Sequence, residues 1–238
     1  MEIRCYLAMT AQEMQTQTTL PPYPGWMACH FSCYGTGLSN LPGFLPPESM
    51  LIVNDRTPIC GHDPTLIKDQ LTQLCEAHSP SRILLDLQRP GQAQTDTLVN
   101  TLLEGLPCPI GVSEAYAEGR SCPVFVAPCP LCTPLEKHLA PWQGREIWLD
   151  IAMQAQAVTI NRLGSHPGGA ILEELPEPVF TDETLCCRYH MQVSDDRVIF
   201  HLERREPELK MLLEQAKNAG VSCAVGLYQH LGGAAVLS

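Results

Sequence analysis

Short apolar runs that end in polar residues recur along the chain at residues 27–34, 50–54, 82–87, 109–113, 123–127, 146–151, 197–202 and 222–227. Amphipathic stretches or proline-rich loops separate them. Each run is too short for a buried helix and long enough for a strand, so the chain reads as α/β with about eight strands. That is the number that closes a parallel (β/α)8 barrel of TIM type. A further run at residues 3–8 alternates and reads as a half-buried edge strand.

Three helices are legible between the strands. Asp63 caps the first, Pro64 enters its first turn, and Ile67, Leu71, Leu74 and Cys75 recur at helical spacing as far as Ala77. Thr95 or Asp96 opens the second, with Leu98, Val99, Leu102 and Leu103 on one face and Gly105 and Pro107 beyond its end. Pro207 starts the third, whose stripe is Leu209, Leu212, Leu213 and Ala216, and Gly220 closes it. Between residues 179 and 203 the period changes to two around Asp195-Asp196, with Tyr189, Met191 and Val193 before it and Val198, Phe200 and Leu202 after, which is a β-hairpin pattern. The 21 prolines predict short or missing helices. The expected fold is therefore a trimmed (β/α)8 TIM-like barrel, one domain over residues 1–238, with a hairpin insertion or long loop at about 164–196. The runner-up, an open doubly wound sheet, has no Gly-x-Gly-x-x-Gly after a strand and no Gly-x-x-x-x-Gly-Lys loop to support it.

Lys plus Arg number 15 against 26 Asp plus Glu, a formal charge of −11, so no broad electropositive surface exists for a nucleic-acid backbone. No stretch approaches the roughly 18 continuous apolar residues of a membrane helix, and residues 1–15 lack the pattern of a secretory signal. A cytoplasmic protein is expected, and with it twelve free cysteines. Cys129-Pro130-Leu131-Cys132 has the spacing of half a zinc site, but no second pair at such spacing accompanies it, and Cys186-Cys187 are adjacent and point to opposite faces of a strand. Neither a structural metal nor a cofactor is expected. There is no Gly-x-Ser-x-Gly elbow. His30 and His201 lie inside apolar strands and read as packing residues, and His62 as the residue before a helix cap.

In a barrel the site is assembled at the carboxyl ends of the strands. Those ends carry Ser32, Tyr34, Asn54, Asp55, Asp86, Gln88, Arg89, Glu114, Tyr116, Asp150, Glu203, Tyr228, Gln229 and His230. Of these, Asp55, Asp86, Gln88, Arg89, Glu114, Tyr116 and Tyr228 are the expected ligand-binding set. Carboxylates, amides and Arg supply both acceptors and donors for a hydroxyl-rich ligand, and the tyrosines supply stacking faces.

The third of the eight runs, with the residues that follow it, is Arg82-Ile83-Leu84-Leu85-Asp86-Leu87-Gln88-Arg89-Pro90. It resembles the signature strand of chitinase-like glycoside hydrolases, family eighteen, which runs Gly-Ile-Asp-Leu-Asp-Trp-Glu-Tyr-Pro. Aligned at the proline, Asp86 takes the place of the acid beside the catalytic Glu, Gln88 that of the catalytic Glu itself, Leu84 that of an inward acid and Leu87 that of the Trp. The resemblance implies a barrel whose substrate's own acetamido oxygen is the nucleophile. One Glu protonates the leaving oxygen and the neighbouring Asp orients the acetamido group. Gln88 cannot donate that proton, so a carbohydrate or other small polar ligand is expected to bind without chitinase activity. Two alternatives follow from other residues. Glu114 and Glu203, read as the ends of the fourth and seventh strands, form a possible acid/base and nucleophile pair of an active glycoside hydrolase, and a barrel with no small-molecule site would serve as a protein-interaction module.

Overall fold

The computed structural model describes residues 2–89 and 93–231. In chain order its elements begin β1 (Arg4–Met9), α1 (Ala11–Thr16), β2 (Pro24–Phe31), β3 (Leu38–Ser39), β4 (Met50–Asn54), α2 (Pro64–His78), β5 (Arg82–Asp86) and α3 (Ala93–Leu103). They continue with β6 (Ile110–Ser113), β7 (Val124–Val126), α4 (Leu135–Leu139) and β8 (Ile147–Asp150). Then come β9 (Gln154–Asn161), β10 (Gly164–Pro167), β11 (Phe180–Asp182), β12 (Cys187–Val193), β13 (Arg197–Arg204), α5 (Glu206–Asn218) and β14 (Cys223–Leu227).

Among the described residues, eight parallel strands close a ring in the order β1, β2, β4, β5, β6, β7, β8, β14 and back to β1. The chain is thus a trimmed (β/α)8 barrel. Between β6 and β7, where every residue is described, a single 3₁₀ turn at Glu114–Tyr116 replaces the α-helix, and α1 and α4 have only 6 and 5 residues.

Two strand assignments from the sequence change. The run at 3–8 is not an edge but the first stave, and the run at 197–202 is not a stave but part of β13. The reason is burial on both faces. Tyr6 and Ala8 fill the barrel interior while Leu7 packs outward against the α5 side, so β1 is enclosed although its sequence alternates. With β1 counted, the Arg82–Asp86 strand is the fourth stave rather than the third.

Residues two apart on a strand share a face. Met50 and Ile52, Leu84, Phe125, Trp148, Cys223 and Val225 point inward with Tyr6 and Ala8, while Leu51, Val53, Leu85 and Val112 point outward under α2 and α3. Asp63 caps α2 as its sequence implies, accepting from the Thr65 N–H at 2.9 Å. Ile67, Leu71, Leu74 and Cys75 are its buried face. Each buried Leu or Ile contributes about 1.5–3 kcal/mol. α5 packs Leu209, Leu212 and Ala216 on Leu7, Leu149 and Ala224.

Trp148, fully buried, occupies space that β6 leaves open. A Cβ added at Gly111 would stand 2.2 Å from Trp148 Cε3. The indole N–H donates to Glu146 at 2.9 Å, and the Arg82 guanidinium lies 5.0 Å from the ring centroid, so the ring is held from several sides. Gly111→Ala is therefore expected to destabilise the barrel by about 1–3 kcal/mol through overpacking, measured as a lowered urea midpoint at unchanged m-value. An unchanged midpoint would mean that the indole yields freely.

Between β8 and β14 the chain leaves the ring to form a five-stranded antiparallel sheet in the order β10, β9, β13, β12, β11. The expected hairpin around Asp195-Asp196 is its β12–β13 pair, in which His190 opposes His201 and Val193 opposes Val198. The sheet spans 154–204, wider than the 164–196 segment expected from sequence. β9 and β13 supply the difference. Arg204, 1% exposed at the end of β13, ties this sheet to the barrel. Its guanidinium donates to the carbonyls of Cys186 at 3.0 Å, Leu185 at 3.0 Å and Cys129, just after β7, at 2.8 Å.

Candidate functional site

At the carboxyl end of the staves lies a cavity of about 550 Å³, within the usual size range of small-molecule sites. Ile52, Leu84, Phe125 and Val225 are its apolar lining, and Thr10, His30, Asn54, Arg56, Asp86 and Asp150 its main polar groups. Strand register explains the gathering. Asn54 follows Ile52, Asp86 follows Leu84 and Asp150 follows Trp148 at the two-residue period, and Asn54 is directly opposite Asp86 across β4 and β5.

Several of these groups are held in place by hydrogen bonds. Asn54 Nδ2 donates to the Met27 and Cys29 carbonyls, both at 3.0 Å, and so pins β2 where its register against β4 shifts between Trp26 and Cys29. His30 Nδ1 lies 2.9 Å from the Ala28 carbonyl. A carbonyl only accepts, so Nδ1 carries the proton and Nε2 is left as an acceptor on the ring that borders the cavity. Thr10 caps α1 in a reciprocal arrangement with Glu13.

The two acids are the centre of the site. Burial raises the Asp86 carboxyl above the usual range. The Gln88 amide, which donates to Asp86 Oδ1, and the Ser113 hydroxyl pull it back, and the charge of Asp55 pushes the other way. Asp150 is pushed up to about 7, chiefly by burial and then by the charge of Asp86. Two acids in one desolvated mouth cannot both ionise freely. Near neutral pH the pair can thus accept a hydrogen bond at Asp86 and donate one from Asp150.

The expected ligand set divides. Asp86 lines the cavity, with Gln88 bonded to it. Asp55 is buried beside it and accepts from the Arg89 N–H at 2.9 Å. The Arg89 side chain donates to the Arg56 carbonyl at 3.2 Å. Glu114 opens the 3₁₀ turn after β6 and is not a lining residue. Tyr116 is 2% exposed, packs in the core under α2 and α3, and donates its hydroxyl to the Arg89 carbonyl, so its ring has no face free for stacking. Tyr228 packs against the apolar cluster on the α5 side. Glu203 is not the end of a stave. It lies in β13, 2% exposed, in ion pairs with Arg188 and with Arg205, the latter at 2.9 Å. Glu114 and Glu203 therefore do not form a carboxylate pair at the barrel mouth. Pro90, the anchor of the signature alignment, lies outside the described residues.

Asp150 is visible in the sequence as a strand end, but nothing in its own stretch sets it apart from other such ends. His30 has the sequence surroundings of a packing residue, and Arg56 carries no local signal at all. Both reach the cavity because the bulge in β2 and the loop after β4 turn them towards it.

No family model matches the sequence, and no curated protein matches it. Solved structures do match the fold. A variant of the GH18 chitinase from Cycas revoluta in complex with (GlcNAc)4 superposes with a TM-score of 0.57 at 12% identity over 94% of each chain. The class V chitinase from Nicotiana tobaccum gives 0.55 at 11% identity, over 95% of this chain and 93% of that one. The spore cortex-lytic enzyme SleL from Bacillus cereus gives 0.55 at 10% identity, over 94% of this chain and 70% of that one. The chain thus shares the barrel architecture of family eighteen glycoside hydrolases, as the β5 resemblance implied. Among the described residues no helix is long and apolar enough to cross a membrane.

Proposed function

We propose that the barrel mouth binds a carbohydrate or another small hydroxyl-rich ligand, and that it does not hydrolyse chitin-like substrates. The observation that carries this reading is the Gln88 amide, which donates to Asp86 at the position where the resemblance places the catalytic acid. An amide cannot protonate a leaving oxygen, whereas Asp86, Asp150, His30 and Arg56 offer acceptors and donors suited to hydroxyl groups. The Cycas revoluta variant solved with (GlcNAc)4 carries a glutamate-to-glutamine substitution, so a barrel of this architecture with such a change holds an oligosaccharide. A reducing, cytoplasmic setting belongs to the same proposal, consistent with twelve unpaired cysteines, of which Cys33, Cys60 and Cys132 are exposed.

The test is a pair of assays on N-acetylglucosamine oligomers. Wild type is expected to show saturable binding that Asp86→Ala weakens by about tenfold, the loss of one charge-assisted hydrogen bond, and no detectable product. Robust turnover that survives Gln88→Ala would overturn the reading. The raised Asp150 supports one second reading, in which this residue is the proton donor of an active hydrolase. Turnover abolished by Asp150→Asn and retained in Gln88→Ala would identify it.

A further inference from the structure

Cys75 and Cys108 bring their sulfurs to 3.8 Å, although the two residues lie on separate elements. Cys75 is on the buried face of α2 and 5% exposed. Cys108 precedes β6, packs against the same apolar cluster and is partly exposed. Prolines on both sides, Pro107 and Pro109, restrict its backbone, and the Pro109 carbonyl accepts from the Ile83 N–H at 2.9 Å, which fixes the segment against β5. Within a helix the Cys75 side chain is confined to the χ1 settings that avoid the preceding turn. Both sulfurs are thus presented by backbone that holds them together.

Beside Cys108 the surface opens into a concavity of about 230 Å³, lined in part by Leu103, Leu106, Cys108 and Cys122. That is below the usual size of small-molecule sites, but several times the volume of about 30 Å³ that one water takes up in the liquid, so a molecule of the size of a peroxide enters it. Cys108 faces this opening, and Cys75 lies behind it. With Cys108 as hydrogen-bond donor, the Cys75 thiol is held below its ordinary range although burial acts the other way, and the Cys108 thiol is raised. The pair therefore gives up a first proton more readily than an isolated buried thiol, and the remaining proton is shared across the S–H···S bond. Cys122, in the same concavity, differs: burial raises its thiol. A thiol that only packs is inert, whereas a thiolate within reach of solvent and beside a second sulfur is reactive.

We propose that Cys75 and Cys108 are a peroxide-oxidisable dithiol, reduced in the resting protein and closed reversibly to a disulfide that ties α2 to the entry of β6. The sulfurs, 3.8 Å apart, need to come about 1.8 Å closer to form a bond of about 2.05 Å. The co-reactant is a hydroperoxide small enough for the opening. As the shared proton settles on Cys75, Cys108 Sγ attacks one peroxide oxygen, the O–O bond breaks, and the departing hydroxide takes a proton from solvent to become water. Cys75 Sγ then attacks Cys108 Sγ, the S–O bond of the sulfenic acid breaks, and the second hydroxide leaves as water with the proton of Cys75. In sum two thiols and one hydrogen peroxide give one disulfide and two waters, and the sulfurs lose the two electrons that the peroxide oxygens gain. A dithiol reductant reopens the bond by exchange, its own sulfurs ending as the disulfide. Transient, redox-sensing bonds of this kind are the form that disulfides take in a reducing compartment.

The experiment uses the full chain with its exposed thiols removed by Cys33→Ser, Cys60→Ser and Cys132→Ser, reduced, freed of reductant and treated with hydrogen peroxide. Two thiols per chain are expected to disappear and the mass to fall by two hydrogens, with the proteolytic fragment of Cys75 joined to that of Cys108 and released by dithiothreitol. Added Cys108→Ser should leave Cys75 a thiol under the same treatment. Added Cys75→Ser should raise the labelling of Cys108 by dimedone about tenfold, since its sulfenic acid then has no partner to condense with. Where a serine variant fails to fold, the fragment map of the wild-type chain decides by itself. A bond from Cys108 to Cys122, oxidation of Cys108 beyond the sulfenic acid with Cys75 still free, or fragments that stay unjoined while other thiols react overturns the proposal.

Discussion

Arg204→Leu is expected to lower the stability of the protein by about 3–5 kcal/mol, the scale seen when a buried charged group is removed from its partners. The side chain is the main polar link between the inserted sheet and the barrel, donating to carbonyls of Leu185, Cys186 and Cys129. Each carbonyl left buried without a donor costs about 1–3 kcal/mol. Removing the cation also relieves its own desolvation, which offsets part of the loss, and Leu refills only some of the volume. The unpaired carbonyls win because all three face a side chain that is almost wholly out of water. Hydrogen exchange should show the loss in β12 and β13 before the staves, since those strands are anchored through this residue. A loss below about 1 kcal/mol would mean that water replaces the guanidinium and that apolar packing alone docks the sheet.

Asp150→Asn is expected to stabilise the protein in alkaline solution and to leave it nearly unchanged in acid. The folded-state carboxyl sits at about 7, above its unfolded value of 3.8. The stability that this group contributes is therefore fully present below the unfolded value and is lost as the pH rises through about 7. A tenfold change in an ionisation constant is worth about 1.4 kcal/mol, which sets a ceiling of about 4 kcal/mol, and an open mouth that admits water brings the expected gain of the Asn variant to about 2–3 kcal/mol. Urea midpoints of both proteins at pH values on either side of this window provide the check. An equal difference at both would show that Asp150 ionises as an ordinary surface acid, and the donor role assigned to it in ligand binding would go with it.

The barrel, most of its staves, three helices and the strand that ends at Asp86 are legible in the order of residues alone. All of these depend on local information: the two-residue period places Leu84 and Asp86 on one side of a strand, Asp63-Pro64 starts a helix, and Gly220 ends one. A resemblance over nine residues, the first five of them β5, implies the family architecture, because the strand end is where such barrels keep their chemistry.

Closure and depth, by contrast, exist only in the folded chain. β1 and β13 both alternate, yet one is enclosed in the ring and the other belongs to the inserted sheet, since alternation records neither how many faces are covered nor by what. Tyr116 and Glu203 have the side chains of a rim, but one fills the core beneath the helices and the other is neutralised by two arginines. Asp150 becomes a candidate only when closure sets it in the same desolvated mouth as Asp86, because the pKa of a carboxyl depends on what is left around it once water is excluded.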